Sequence, residues 1–374
     1  MGKENIEYWL KKPKASSLVN GESQTLYYSK YESFKEYLDN HIHQEVTLGA
    51  IREEIAQSKK FDTIIWLNDH GVKHITAVIE RASQLLIKKK QCSLNPKELF
   101  LLLNAIQIHD VGNFYGRQGH EQKCMDAIGE GLTPILNDDI AVKYMVRIAQ
   151  VHGGKIEYSD GSEDKDTISK CDPLIMYDKY EIREQFLASV VRFADELADE
   201  PARANIKQLD EGKLPKGSEI FHAYAYCLNT TIVRHDDQCI ELHFKVPIDY
   251  ARRKFGKIQK DNITIKQTYL LDEIYERALK MHIERIYCSK YWKKFLDIER
   301  VRVNIEFYAR GNESEVEKDL YVHPRITFTL EDREYPTLTK DIFSLCTDLK
   351  NPRDGKKMTG ATLLKEIRYN EKNR

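Results

Sequence analysis

Residues 105–113 read AIQIHDVGN, and the adjacent His109 and Asp110 decide how the rest of the chain is read. Neighbouring side chains cannot share one helix face, yet an imidazole beside a carboxylate at a helix end makes a good metal clamp. The run before the pair is helical in pattern. Asn95 is a good N-cap, Pro96 suits the first helical position, and Leu99, Phe100, Leu102, Leu103 and Ile106 follow. Gly112 ends the segment. Working outward, His74 stands upstream in HGVKHITAVIERA (70–82). His120, His152 and Asp195 stand downstream, each at the edge of an apolar helical stretch.

Those stretches share one logic. Segment 74–87 carries His74, Val78, Ala82 and Leu85 on one stripe, and segment 120–136 aligns His120, Cys124, Ala127, Ile128 and Gly131. Segment 138–151 starts at an Asp138 or Asp139 cap, and segment 181–200 aligns Leu187, Val190, Val191, Ala194 and Leu197. His74 and His120 therefore start inward-facing stripes, His109-Asp110 and His152 end helices, and Asp195 lies in a core-facing run. Five helices can bring these six groups to one inter-helical pocket. Burying several imidazoles and two carboxylates there without a cation is costly or forces pKa shifts, and a divalent ion removes the penalty. Mixed nitrogen and oxygen donors suit Mn, Fe, Ni, Zn or Mg, one ion or two. Donors without cysteine speak against a structural zinc.

The bulk numbers leave room for this. A chain of 374 residues accommodates two domains, and 41% hydrophobic with 31% charged residues describes a packed, folded protein. A net charge of −1 gives no general push toward nucleic acid or membrane. The first thirty residues lack an apolar signal core, and Ile6 breaks the myristoylation pattern. No stretch approaches transmembrane length. Seven scattered cysteines without a C-x-x-C read as reduced thiols, which places the protein in the cytoplasm.

The expected organisation is a lead-in over 1–44 with a helix around 29–42, a helical domain over 45–210, and a smaller α+β region over 211–374. Residues 153–172, rich in glycine and charge, read as a surface loop or flap, and 205–219 as a linker. Segments 223–235 and 239–248 read as a β-hairpin turning at Asp236-Asp237-Gln238. A long helix around 266–288, strands at 300–309 and 325–330, and a final helix or two in 338–370 complete the pattern. The fold class is a mainly α domain followed by an α+β region.

The set His74, His109-Asp110 and Asp195, with its contexts HGVKHITAVIERA, AIQIHDVGN and VVRFADELADEPARA (190–204), resembles the HD-domain superfamily of metal-dependent phosphohydrolases over about residues 60–205. The resemblance implies that these four residues bind one metal. It also implies that His120 in QGHEQKC and His152 in VHGG complete a second position bridged by Asp110. One or two ions would then activate a hydroxide for in-line attack on a phosphate. Many members read H-D-x-G-K where this chain has Asn113, so an amide replaces the lysine charge.

Asp110, His120, Asn113 and Arg117 are the expected catalytic groups. Arg117, Lys155 and Arg203 are the candidate phosphate contacts. Arg192 reads as a surface ion pair, and His70 as a helix-entry group rather than a ligand. Histidines 41, 43, 222, 235, 243, 282 and 323 read as surface or strand residues, and the basic runs 251–260 and 350–360 as solvated faces. The resulting expectation is a phosphohydrolase acting on a nucleotide or related small phosphate ester, without a membrane and with oligomerisation open. The alternatives are an HD-type nuclease on single-stranded nucleic acid, whose binding would fall steeply with salt, and a non-catalytic metal-bearing sensor or partner-binding protein. HD domains with appended regions recur in bacterial conflict and nucleotide-signalling systems, an analogy of fold alone.

Overall fold

The structure, a computed structural model, describes residues 5–12, 21–43, 71–115, 119–128, 135–157, 159–259, 264–292, 295–309, 320–331 and 341–372. His70 and Arg117 lie outside the described residues. The chain forms a helical domain followed by an α+β region. Its described residues divide into one compact unit that runs to residue 198 and includes 287–297, and a second of 199–286 and those from 298 onward.

The first unit holds α1 (Ile6–Lys11), α2 (Gly21–His41), α3 (Val72–Leu86), α4 (Pro96–Ile108), α5 (Cys124–Ile128), α6 (Asp139–Gln150) and α7 (Glu184–Glu196). Three two-stranded hairpins join them: β1 (Ile87–Lys88) with β2 (Gln91–Cys92), β3 (Ile156–Glu157) with β4 (Glu163–Asp164), and β5 (Ile175–Tyr177) with β6 (Tyr180–Ile182). Helix α4 is the centre of this unit. Every residue from Lys97 to Ile108 is buried, because α2, α3, α6 and α7 all pack on it. Its start is fixed locally. Asn95 accepts the amides of Lys97 and Glu98 while the Glu98 carboxylate takes the Asn95 amide, a reciprocal cap with Pro96 just inside. On α3, Arg81 donates to the Leu197 carbonyl at the end of α7, so the two helices that carry His74 and Asp195 are tied together.

Several expectations need correction. Helix α2 begins at Gly21, well before residue 29. Segment 120–136 is not one helix: Gly119, in the left-handed region at φ 64, opens a tight 3-10 turn over His120–Gln122, and α5 follows separately. Histidines 43, 222 and 282 are buried rather than superficial. His43 spans from the Asp39 carboxylate to the Gln107 carbonyl of α4, at 2.7 and 2.8 Å.

The second unit holds α8 (Ile206–Asp210), α9 (Glu219–Cys227) and α10 (Ile248–Arg252), most of α11 (Leu270–Trp292), then α12 (Ile342–Leu345) and α13 (Gly360–Lys372). Strands β7 (Leu228–Arg234), β8 (Cys239–Pro247), β11 (Arg300–Ala309) and β12 (Leu320–Leu330) form one sheet in the order β12-β11-β8-β7, while β9 (Lys254–Ile258) pairs with β10 (Ile265–Tyr269). Strand β11 runs parallel to β8 and antiparallel to β12. Val301, Val303, Ile305 and Phe307 alternate onto the buried face of β11. The expected linker is largely helical, and AYAYC belongs to α9 rather than to a strand. The basic runs are paired with acids: Lys257 with Glu273 and Glu276, Arg353 with Glu366, and Lys357 with Asp341. All seven cysteines are buried free thiols. Among the described residues no helix is long and apolar enough to cross a membrane.

Candidate metal centre

The ligands predicted from sequence meet in the first unit. His74 sits in the first turn of α3, on the stripe shared with Val78, Ala82 and Leu85, and is buried. His109 closes α4 as its C-cap, and Asp110 follows it. His152 comes just past the end of α6, and Asp195 lies in the last turn of α7. His74 Nε2 is 3.3 Å from His109 Nε2, 3.3 Å from Asp110 Oδ2 and 3.1 Å from Asp195 Oδ1. His109 Nε2 lies 3.7 Å from each of the same two oxygens. The other oxygen of Asp110 serves a second group. Its Oδ1 is 3.1 Å from His120 Nε2 and 3.8 Å from His152 Nε2. One carboxylate thus divides its two oxygens between two sets of donors.

Two donors on a single ion with bonds of about 2.1 Å stand roughly 3.0 to 4.2 Å apart as their angle opens from 90° to 180°. The separations above fall in that window, so the donor set fits divalent ions at both positions. Ring orientation supports the same reading. His109 Nδ1 donates to the Ile106 carbonyl at 2.8 Å, and His152 Nδ1 to the Ala149 carbonyl at 2.6 Å. A carbonyl only accepts, so the proton is fixed on Nδ1 and the Nε2 lone pair of each neutral ring is left facing the cluster. Each of these carbonyls belongs to the last turn of the helix that its histidine follows.

The electrostatics of the cluster favour positive charge. Burial disfavours a charged His109, but Asp110 and Asp195 outweigh it and push this ring up to about 9. Burial would raise Asp195, yet the His109 and His74 rings hold it well below the usual carboxylate range. His152 falls to about 3 through burial and the nearby His109 and His120. The two carboxylates call for positive charge, and without an ion a proton on His109 provides part of it.

A glycine and a carboxylate flank the second group. A Cβ on Gly112 would fall 1.9 Å from the His120 carbonyl oxygen, so the turn after Asp110 rests directly on the His120 backbone. On the other side, His120 Nδ1 lies 3.2 Å from Glu121 Oε2, a carboxylate that the sequence reading did not single out. Asn113 is fully buried, and neither amide atom has a hydrogen-bond partner among the described residues.

The remaining expected residues are placed differently. Lys155 pairs with Glu163 across the β3–β4 hairpin. Arg203 belongs to the second unit and pairs with Asp199 at 3.0 Å. Arg192 is not a surface ion pair. It is buried, lies over the Tyr287 ring, and donates to the Lys165 carbonyl and Thr167 Oγ1, while Thr167 in turn donates to the Val151 carbonyl beside His152. Asp166 accepts from the hydroxyls of Tyr287 and Tyr291, so the second half of the 153–172 segment is pinned down.

Residues 60–277 match the HD-CE family model. That is more than half of the chain. The chain belongs to the HD-CE family. The match runs well past residue 205, through β7–β10 into α11, so the family covers part of the α+β region as well as the metal cluster. No curated protein and no solved structure matches the chain. Together the family and the buried His/Asp cluster suggest a metal-dependent hydrolase of the HD type.

Proposed function

We propose that this protein is a metal-dependent phosphohydrolase acting on a nucleotide or a related small phosphate ester. The observation that carries the reading is Asp110, whose Oδ2 faces His74 and His109 while its Oδ1 faces His120 and His152. A carboxylate shared in this way suits a pair of adjacent ions, the arrangement used to displace at phosphorus. Bound divalent ions supply Lewis acidity, lowering the pKa of water and drawing charge from phosphoryl oxygens. His74, His109, Asp110 and Asp195 would hold the first, and Asp110, His120 and His152 the second.

The chain's own groups do the rest. The Nδ1 donations of His109 and His152 keep their rings from turning. Asn113, next to the cluster with both amide atoms available, offers a donor and an acceptor to orient water or a phosphate oxygen. It replaces the charge of a lysine with directed hydrogen bonds.

The test is a panel of nucleoside mono-, di- and triphosphates, cyclic nucleotides, and single-stranded DNA and RNA, assayed with Mn²⁺. Turnover of a small phosphate ester that Asp110→Asn abolishes is the expected result. Cleavage restricted to nucleic acid would replace this reading with a nuclease, and no turnover on any member would replace it with a metal-bearing sensor. Elemental analysis of the purified protein should find bound transition metal that Asp110→Ala loses.

A further inference from the structure

We infer that Glu121 is a positioning residue, holding His120 so that its Nε2 serves the second metal position. This rests on reading Asp110, His120 and His152 as that position. His120 differs from His109 and His152 in how it is held. His109 and His152 are each oriented by a carbonyl of their own helix, which the helix itself holds in place. His120 sits on a short 3-10 turn, and its Nδ1 faces the carboxylate of its neighbour Glu121 at 3.2 Å. Its Nε2 faces Asp110 Oδ1 at 3.1 Å. The ring therefore lies between two carboxylates, one at the metal cluster and one outside it. An acceptor at Nδ1 selects the tautomer with a lone pair at Nε2, and a negative acceptor makes that nitrogen a stronger donor to a cation.

The Glu121 carboxylate is itself enclosed. Its side chain is only 14% exposed. A Cβ on Gly154 would lie 2.6 Å from Glu121 Oε1, and Gly154 adopts a left-handed φ of 73. The glycine after His152-Gly153 thus leaves the space that the carboxylate fills. Two features that read from sequence as unrelated, the acid after His120 and the second glycine after His152, form one support on the outer side of the ring.

The experiment is a Mn²⁺ titration of the purified full chain, followed by electron paramagnetic resonance and calorimetry, with circular dichroism as a check on folding. The wild type should take up two ions. Glu121→Ala should keep the first with unchanged affinity and bind the second roughly 10- to 100-fold more weakly. Glu121→Gln, which retains an acceptor oxygen of the same reach, should recover much of that loss. A Glu121→Ala protein that binds both ions like the wild type would overturn the inference and leave the two-ion reading intact. So would equal loss of both ions in Glu121→Ala without recovery in Glu121→Gln, which would mark a role in the fold at large. A wild type that binds fewer than two ions would overturn the two-ion reading and this inference with it.

Discussion

Replacing Gly112 by alanine adds one methyl group where the backbone of His120 already stands. The new Cβ would fall 1.9 Å from the His120 carbonyl oxygen and 2.8 Å from its carbonyl carbon, while real Cβ contacts essentially never come under 3.0 Å. The two backbones must therefore part by about 1.1 Å (3.0 minus 1.9). The neighbour is main chain, so no side-chain rotation relieves the contact. His120 Nε2 stands 3.1 Å from Asp110 Oδ1, and a movement of that size takes the ring out of reach of an ion that Asp110 holds. Misplacing a reacting group by about 1 Å costs on the order of 100-fold in rate, and overpacking a close contact costs about 1–3 kcal/mol of stability. Gly112→Ala should accordingly lose about 100-fold in kcat, weaken the second Mn²⁺, retain the first, and melt several degrees lower. Gly153→Ala is the control. It also flanks a ligand, but a Cβ there meets nothing within 4 Å. Wild-type turnover with two bound ions in Gly112→Ala, or an equal loss in Gly153→Ala, would refute the steric argument.

Two further outcomes follow from charges elsewhere in the first unit. Arg147 pairs with Glu184, whose side chain is fully buried, so Arg147→Ala should cost about 3–5 kcal/mol by stranding that carboxylate. Urea unfolding reads this directly, and a loss under about 1 kcal/mol would show that the Asp172 amide, 2.8 Å from Glu184, suffices alone. The metal-free protein should also lose stability with rising pH. His109 is raised from 6.5 to about 9 despite its burial, because Asp110 and Asp195 favour its charged form. Its contribution is complete below pH 6.5 and disappears as pH rises through about 9. Melting temperatures of chelator-treated protein should fall across that window, and those of Mn²⁺-loaded protein should not. Parallel curves for the two would count against His109 as a ligand.

The helical half was legible because its cues are local. Asn95, Pro96 and Glu98 announce the start of α4 within four residues, and apolar spacing gave α3, α6 and α7 nearly to their ends. The candidate metal donors could be gathered because five of the six, all but His120, stand where an apolar helical stretch begins or ends. What escaped depended on partners far away in sequence. Ala223 to Cys227 has a strand-like composition, but Tyr224 is buried against Phe244 and under Arg277, and packing makes the segment a helix. The 153–172 segment reads as a loose flap until Arg192, Tyr287 and Tyr291 are seen to fasten it. Glu121 left no periodic signal, since its meaning comes from the one ring it touches.

Three of the four helices that carry ligands present the same end to the cluster. His109-Asp110, His152 and Asp195 all stand at helix C-termini, and only His74 lies near an N-terminus. Each C-terminus carries roughly half a negative charge, added to the charges of two carboxylates. Without bound cations such a centre would favour cations over phosphate. On the proposed phosphohydrolase reading, the metal would therefore bind first, and its charge would turn a barrier to anionic substrates into a place that receives them.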